Sequence, residues 1–471
     1  MRKKGETVTQ VLFENIAFRA CLPILPAMTG LMLLLAATPA VTRGQSLAIR
    51  NVTVVDANGA REGQTVVIAN GKITAVGRGI PAGAGAIDGK GKFLIPGLWD
   101  MHVHLWDDDP KPEPYVAYGV LGVRDMGSDL VKTRALRAPG RIAPKIYTSG
   151  QALDGPRSGI RASAGIKVAG PEEARQAVDK LDKGMADFIR ILSGLSRDSY
   201  FSIAQRARVI RSPFAGHLPG DVTVAEAIDA RQKSMEHMFG LPMAFTPLEP
   251  SLREQRATAR AKGDREALAA VAKRVYETFS PGLANETFHR MARFGMWQCP
   301  TLTLWQRMER DKEASHEEYE FHARLVKLMY GAGTGVLAGT DTGDPGVEPG
   351  IALHDELRAM VAAGLSPLEA LTTATLNPAR FFEIEATHGT VAKGRTADLV
   401  LLEADPLADI GNTRRIAAVI RAGKLLDRKC LDSLAAGKTQ SCPSVSSKTT
   451  PPGASSVKPR VSSRKPASRT R

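Results

Sequence analysis

The chain has 471 residues, of which 43% are hydrophobic and 24% charged, and this balance is typical of a globular protein with ample length for a large core. Wholesale disorder and a collagen-like fibre are excluded. Most of the formal net charge of +14 lies at the ends of the chain, with +8 in residues 437–471 and +3 in residues 1–45, which leaves only +3 for the body. This near-balance, together with few aromatic residues, predicts that nucleic acid is not a partner.

The first 45 residues have the pattern of a secretory signal. Basic residues at positions 2–4 precede 23 uncharged residues at 20–42, and small residues around position 40 offer cleavage sites. We therefore expect residues 1–45 to be a signal peptide and the mature protein to be exported, periplasmic or secreted. The alternative is an uncleaved membrane anchor, because 23 uncharged residues are long enough to span a bilayer.

Two strand-rich segments, residues 46–96 and 389–430, flank a long middle segment. Short alternating runs and Gly-containing turns predict strands in both flanks. These predicted strands lie at 47–55, 65–70, 73–76, 397–403 and 416–422. The two flanks together predict one small β-sandwich domain assembled from both ends of the chain.

The middle segment, residues 97–388, alternates short apolar runs with helical patterns. The runs lie at 98–103, 120–124, 145–148, 188–192, 213–216, 233–237, 296–304 and 336–340. Eight is the strand count of a (β/α)₈ TIM barrel, so the predicted fold class is α/β, a barrel with a small composite β-sandwich. Residues 241–288 are predicted to be a largely helical insertion.

The carboxyl-terminal segment, residues 431–471, is predicted to be a disordered basic tail, because Ser, Pro, Thr, Lys and Arg dominate beyond Cys442. Its charge suggests weak contact with an anionic envelope surface, and a solvated tail without a partner is the alternative. If the protein is exported, Cys430 and Cys442 are predicted to form a disulfide, and two free thiols are the alternative.

Histidines and an aspartate end several of the predicted barrel strands. His102 and His104 end the first, and because residues two apart in a strand project to the same side, both imidazoles can reach one metal at the carboxyl-terminal mouth of the barrel. His217, His237 and Asp341 each end another predicted strand. Imidazole and carboxylate are the ligand types expected for Zn and related divalent ions, so these positions predict a metal site. For the His102 and His104 pair alone, a polar strand end is the alternative.

Short motifs are spread along the body of the chain. They are PGLWDMHVH at 96–104, GVRDMG at 122–127, AGH at 215–217, MEH at 235–237, CPTL at 299–302, GTD at 339–341, and GTV at 389–391 followed by ADLV at 397–400. In combination they resemble the metal-dependent amidohydrolase superfamily, most closely its imidazolonepropionase-like and prolidase-like branch. The likeness covers about residues 47–425 and implies a distorted (β/α)₈ barrel with a composite β-sandwich.

The resemblance also implies an activity and roles for the site residues. It implies hydrolysis, by a metal-activated water, of a carbon-nitrogen bond in a small molecule, namely a non-peptide amide, a cyclic amide or a dipeptide-like compound. The residues matching His102 and His104 hold one metal in this superfamily, and those matching His217 and His237 hold a second. The residue matching Asp341 ligates metal and moves the proton, so Asp341 and His237 are the candidate catalytic residues. A homo-oligomer is a further expectation.

Arg190 departs from the pattern of this branch. It stands where the branch carries a lysine that is carboxylated and bridges the two metals, and arginine stays protonated and offers no free amine to carboxylate. We therefore expect one divalent ion, Zn, rather than two, with His237 stabilising the developing charge. The expected ligands of that ion are His102, His104, His217 and Asp341.

Two alternatives to this one-metal hydrolase remain open. One is a catalytically degenerate binding protein in which Arg190 pairs with Asp341 and the metal is lost. The other is a shifted alignment in which another lysine bridges, although the nearby lysines lie in or before the preceding predicted helix. Arg124, Tyr147 and Trp305 lie near strand ends, where packing is the expected role and lining of the pocket is the alternative.

Overall fold

A computed structural model describes residues 46–82, 86–105, 111–439 and 442 of the chain. The predicted signal peptide lies outside these residues, as does the predicted tail beyond Cys442. The strands are β1 Leu47–Asp56, β2 Gly59–Ala69, β3 Lys72–Gly77, β4 Ile87–Asp88, β5 Phe93–Pro96, β6 Leu98–Val103, β7 Val120–Asp125, β8 Lys145–Thr148, β9 Ala152–Asp154, β10 Gly165–Lys167, β11 Ile189–Ile191, β12 Phe214–Gly216, β13 Ser234–Glu236, β14 Trp297–Cys299, β15 Gly335–Val336, β16 Leu399–Leu402, β17 Ile416–Arg421 and β18 Lys424–Leu426.

Helices cover most of the remaining middle segment. They are α1 Glu113–Ala117, α2 Leu130–Ala135, α3 Pro171–Lys183, α4 Arg197–Ile210, α5 Val224–Asp229, α6 Glu249–Lys262, α7 Arg265–Glu277, α8 Pro281–Phe294, α9 Leu302–Arg310, α10 His316–Gly331, α11 Ile351–Ala362, α12 Pro367–Thr373, α13 Leu376–Phe381 and α14 Arg428–Ala435, with 3₁₀ helices at Leu241–Phe245 and Ile410–Arg414. None of the helices within the described ranges is both long and apolar enough to cross a bilayer.

Both ends of the described chain build one small β domain, as predicted. Its eight strands form a single sheet in the order β18-β17-β16-β5-β1-β2-β3, with β4 beside β1. The sheet returns on itself, since Ala397 donates a backbone hydrogen bond of 2.9 Å to Gly71 O at the far end of the β2–β3 hairpin. Apolar side chains from both halves, among them Ile68 and Leu399, form its separate buried core.

The eight predicted barrel strands are all present and parallel to their neighbours. They are β6, β7, β8, β11, β12, β13, β14 and β15, of which the first three form one assigned sheet and the rest belong to a second. Two backbone hydrogen bonds bridge the seams between these sheets: Met101 N to Ala338 O at 2.9 Å, and Asp187 N to Thr148 O at 2.8 Å. Every residue of β6 and β7 is buried, because helices cover one face of these strands and the barrel interior covers the other.

The structure corrects three strand predictions. The eighth barrel strand, predicted at 336–340, is only Gly335–Val336, because Ala338 N donates to Thr373 O rather than to β14. The seventh barrel strand, predicted to run to residue 304, ends at Cys299, because Thr301 takes a left-handed φ of 50° and α9 begins at Leu302. β9 and β10, which the sequence did not predict, extend the barrel sheet beside β11. The predicted helical insertion is present and contains α6 and α7, which pack together around a small apolar cluster with Leu252 and Val271.

The predicted start of the tail at residue 431 is wrong. α14 continues through that position, and Leu431 and Leu434 are fully buried in the barrel core. Cys430 and Cys442 form the disulfide that the sequence predicted, so the chain stays attached to the folded body at least to Cys442.

Candidate active site

The predicted site residues meet at the carboxyl-terminal mouth of the barrel, where the active sites of such barrels lie. His102 lies within β6, His104 follows β6 directly, and Arg190 lies within β11. His217 and His237 follow directly after β12 and β13, whereas Asp341 lies five positions beyond the end of β15. Except for Asp341, whose side chain is 13% exposed, and the partly exposed His217, these side chains are buried.

Close approach between strands places Asp341 beside His102. A Cβ atom at Gly339 would lie 2.8 Å from His102 N and 2.4 Å from Cys299 Sγ, so only glycine allows the segment after β15 to approach β6 this closely. The backbone then turns, and Asp341 N donates to His102 O at 2.8 Å with a left-handed φ of 62°. His237 takes a similar φ of 60°. Such strained backbone in non-glycine residues is concentrated at functional sites.

His102, His104 and Asp341 form a potential metal-ligand group. The Nε2 atoms of both histidines lie 3.1 Å from Asp341 Oδ1, and the ligand atoms of all three residues lie within 4.8 Å of one another. His102 Nε2 and Asp341 Oδ1 are buried, and no hydrogen bond of the described residues satisfies either atom. Two buried acceptor atoms this close together repel each other unless a cation or a proton lies between them. These three side chains therefore fit a divalent metal ion.

The charge of Asp341 suits this role. Burial opposes its ionisation, but the neighbouring imidazoles of His237 and His102 hold the pKa of Asp341 well below its ordinary value. The carboxylate is therefore anionic at neutral pH and can bind a cation.

An ion pair beneath His102 orients its ring. Glu236 Oε2 accepts a hydrogen bond from His102 Nδ1 at 2.9 Å and another from Arg124 Nη2 at 2.7 Å, and all three side chains are fully buried. Burial would raise the pKa of Glu236, but the Arg124 guanidinium and His102 lower it to about 2. Because an ionised carboxylate only accepts, His102 carries a proton on Nδ1, and its Nε2 faces Asp341. Burial opposes protonation of His102, but Asp341 and Glu236 raise its pKa above the ordinary value.

Arg190 occupies the space between two of the site histidines. Its Nη1 lies 3.1 Å from His104 Nε2 and donates to Met126 O, and its Nη2 lies 3.4 Å from His217 Nε2. Burial and the Arg190 charge lower the pKa of His104, which keeps this imidazole neutral. The Arg190 guanidinium therefore contacts nitrogens of His104 and His217 and places a positive charge beside both imidazoles.

The Arg190 to Asp341 ion pair, which the binding-protein alternative required, is not among the ion pairs of the described residues. Arg190 affects Asp341 only through the longer-range attraction of their opposite charges.

His217 and His237 lie beside the ligand group but do not belong to it in the described structure. Their rings are 5.0 Å apart, and their Nδ1 atoms are engaged by Ser193 Oγ at 3.2 Å and Thr301 Oγ1 at 2.8 Å, respectively. Burial, reinforced by His237 and Arg190, lowers the pKa of His217 well below its ordinary value, and burial lowers that of His237 to about 3. Both imidazoles are neutral at pH 7, and the predicted ligand role of His217 stays a prediction.

His102, Glu236 and Cys299 also lie close enough together to suggest a metal group. Glu236 already forms an ion pair with Arg124. Burial raises the pKa of Cys299 well above its ordinary value, so Cys299 stays a thiol. A protonated thiol is a poor metal ligand, so this group is structural.

Sequence reasoning missed the residues that support the ligands. Asp100 Oδ1 accepts from His102 N at 3.2 Å and from Thr340 N at 3.1 Å, so it joins the two ligand-bearing strand ends. Burial raises the pKa of Asp100 to about 7. The available signal was an acidic residue inside the buried strand Leu98–Val103, which is apolar apart from Asp100 and His102, because a buried carboxyl group needs hydrogen-bond partners.

The sequence also placed three residues near strand ends as packing or pocket-lining side chains, namely Arg124, Tyr147 and Trp305. Arg124 is fully buried and pairs with Glu236, and Tyr147 stacks on Phe382 with ring centroids 3.9 Å apart, so both pack as expected. Trp305 donates from Nε1 to His237 O at 3.0 Å and also lines a cavity, so its role is the alternative one of lining a pocket.

Comparisons with known proteins agree with this architecture. Residues 194–426 match the amidohydrolase family. The ochratoxinase of Aspergillus niger is 24% identical over 401 residues, which cover 70% of this chain and 75% of that protein. The N-acetylglucosamine-6-phosphate deacetylase of Lysinibacillus sphaericus is 48% identical over only 60 residues, and the match spans 12% of this chain and 16% of that protein.

A solved Xaa-Pro dipeptidase with methionine bound in its active site shares the fold. Its TM-score is 0.64 at 19% identity, covering 81% of this chain and all of that one. The barrel, the composite β domain and the family match over residues 194–426 together support placing this chain in the amidohydrolase superfamily, which has prolidase-like members.

Proposed function

We propose that this protein is a hydrolase that uses one divalent metal ion, Zn, to cleave a carbon-nitrogen bond in a small amide, cyclic amide or dipeptide-like molecule. The observation that carries the proposal is the His102, His104 and Asp341 group, in which two buried atoms face each other at 3.1 Å and no hydrogen bond from the described part of the chain satisfies either of them. The family match and the hydrolase names of the relatives support the same reaction class.

A divalent ion in this group would lower the pKa of a water molecule and polarise the scissile carbonyl. Asp341 is anionic and belongs to the same group, so its carboxylate can take a proton from the attacking water and pass it to the leaving nitrogen. His237 is neutral, and with Nδ1 donating to Thr301 Oγ1 its Nε2 is left as an acceptor that can hold a hydrogen of that water.

Arg190 contributes a fixed positive charge beside Nε2 of His104. Burial lowers the pKa of Arg190, but a guanidinium stays protonated in proteins. It can therefore stabilise negative charge that develops on the substrate, in the place where the resemblance implies a second ion.

The first experiment measures metal content. We would purify the chain from about residue 45 without chelator and determine bound metal by elemental mass spectrometry. About one equivalent per chain is expected. No metal even after reconstitution would support the binding-protein alternative, and two equivalents would show that the inference from Arg190 is wrong.

Turnover is then tested on a panel of acyl-amines, dipeptides and cyclic amides. Asp341→Asn is expected to lower kcat by at least about 100-fold, because the variant cannot accept a proton. Asp311→Asn, which changes an exposed carboxylate on the surface, is the matched control and should leave kcat unchanged. Full activity in Asp341→Asn would contradict the proposal.

We further propose that the protein works outside the cytoplasm, on the basis of the signal pattern in residues 1–45. Fractionation of cells that produce the full chain tests this, because a processed form in the periplasm or medium is expected. The full-length precursor found only in the cytosol would contradict it.

A further inference from the structure

A cavity of about 460 Å³ borders the candidate active site. Three of its lining residues touch the site histidines. Ser193 Oγ lies 3.2 Å from His217 Nδ1, the ring of Phe239 lies 4.9 Å from that of His237, and Trp305 Nε1 donates to His237 O. A substrate held at the metal-ligand group can therefore extend into this cavity.

The helical insertion supplies another wall of this cavity. Met243 precedes α6, and Val271 and Val275 lie on α7; all three are buried apolar side chains that line the cavity. The volume falls in the range of small-molecule sites, about 300 to 1,000 Å³, and an apolar lining with few polar groups is typical of such sites. The cavity suits an apolar or aromatic group.

Two arginines of α6, Arg256 and Arg260, also line the cavity. Within the described residues, neither guanidinium takes part in a hydrogen bond or an ion pair. Arg253, one turn earlier in α6, does have such partners: it pairs with Glu249 at 2.7 Å and donates to Gly220 O at 3.0 Å.

The described lining of this cavity includes no Asp or Glu beside the two arginines. Burial, with the repulsion of Arg260 and Arg253, lowers the pKa of Arg256, and the opposing attraction of Asp221 is smaller. A half-buried arginine without a partner, held among like charges, is an anion-binding group.

We infer that this cavity binds a carboxylate-bearing apolar or aromatic part of the substrate, with Arg256 as the partner of the carboxylate. The inference rests on the proposed hydrolase function and narrows its substrates to amides with a free carboxylate, such as N-acyl amino acids. Arg256 can bind a carboxylate through two parallel hydrogen bonds, which gives orientation as well as affinity. The scissile carbonyl then lies at the metal-ligand group.

The test uses two probes with the same aromatic body, 3-phenylpropionate and 3-phenylpropan-1-ol, titrated calorimetrically into the metal-loaded chain. The carboxylate is expected to bind at least about tenfold more tightly than the alcohol, because a charge-assisted hydrogen bond is lost in the alcohol. Arg256→Gln is expected to remove this preference. Arg265→Gln, an exposed arginine of the same insertion outside the cavity, is the matched control and should retain it.

Equal affinities for the two probes, or no binding of either, would overturn the inference. So would an unchanged carboxylate affinity in Arg256→Gln, since the carboxylate would then bind at the metal. Neither probe contains a carbon-nitrogen bond, so the result does not depend on turnover. If the carboxylate probe binds in an Arg256-dependent way but no amide is hydrolysed, only the proposed function is refuted. If amides with a free carboxylate are hydrolysed equally well by Arg256→Gln, only the inference is refuted.

Discussion

Nη1 of Arg190 lies 3.1 Å from Nε2 of His104, the same nitrogen that lies 3.1 Å from Oδ1 of Asp341. One imidazole nitrogen thus contacts both a guanidinium and a carboxylate. We therefore expect a single added cation beside Asp341, because a second one beside Arg190 would meet like charge without a bridging carboxylate.

Replacing Arg190 by lysine should allow a second metal to bind. In the presence of bicarbonate, Arg190→Lys is expected to raise metal content from about one to about two equivalents per chain, because a lysine amine can be carboxylated and arginine cannot. Elemental mass spectrometry measures this. Arg190→Met, which removes the charge without supplying an amine, is the control and should stay at about one. A lysine variant that also stays there would show that other residues exclude the second ion.

Removing the charge of Glu236 should weaken both metal binding and folding. Glu236→Gln leaves Arg124 buried without its ion-pair partner, and breaking such a buried pair costs about 3–5 kcal/mol in free energy of unfolding. It also replaces the charged acceptor that orients His102 with a neutral amide oxygen, a weaker acceptor, which should weaken metal binding about 10- to 100-fold. Chemical denaturation and metal competition titrations measure the two effects.

The control for Glu236→Gln is Glu383→Gln. Glu383 pairs with Lys233 at 3.2 Å near the surface, and its side chain is 38% exposed. Loss of this pair should cost no more than about 1 kcal/mol. Equal losses in the two variants would contradict the role given to Glu236.

The sequence was sufficient to predict the barrel, the composite β domain and the positions of His217 and His237 directly after strands, because these depend on local periodicity. The predicted strand before Asp341 is shorter than expected and ends at Val336. The sequence did not predict the partners of the site residues. The contacts of Arg190 with His104 and His217 span 86 and 27 positions, and such pairing depends on the closed barrel rather than on spacing along the chain. The β9 strand was missed for a related reason, since three residues are too few to show a period.

The disulfide should stabilise α14 against local opening. Cys430 and Cys442 are 12 positions apart, and closing a loop of this size contributes about 2–3 kcal/mol. Cys442→Ser is therefore expected to speed amide hydrogen exchange within Arg428–Ala435, measured by mass spectrometry. Exchange in α4, on another part of the barrel, serves as the internal reference. Unchanged protection of α14 would show that its buried leucines suffice to hold it.

Acid should destabilise the fold in part through His354. Burial lowers the pKa of this histidine to about 4, against a smaller opposing effect of its hydrogen bond to Tyr118 O. The unfolded value is about 6.5, so as pH falls the unfolded chain binds the proton first. The stability linked to His354 is complete above about pH 6.5 and is lost progressively toward pH 4, by about 3 kcal/mol in total.

Urea denaturation at several pH values tests this linkage. His354→Gln cannot titrate, so its stability should fall less than that of the unmodified chain between about pH 6.5 and pH 4.5. Parallel curves for the two proteins across this range would contradict the assignment to His354.

The composite sheet can be completed only late in the synthesis of the chain. β5 pairs on one side with β1 and on the other with β16, which the ribosome delivers about 300 residues later. Until then β5 exposes an unpaired edge and its apolar face, and such edges promote aggregation. The nascent chain therefore completes this layer only near the end of translation, so premature termination anywhere before residue 399 should yield a product that needs chaperones rather than a smaller stable domain.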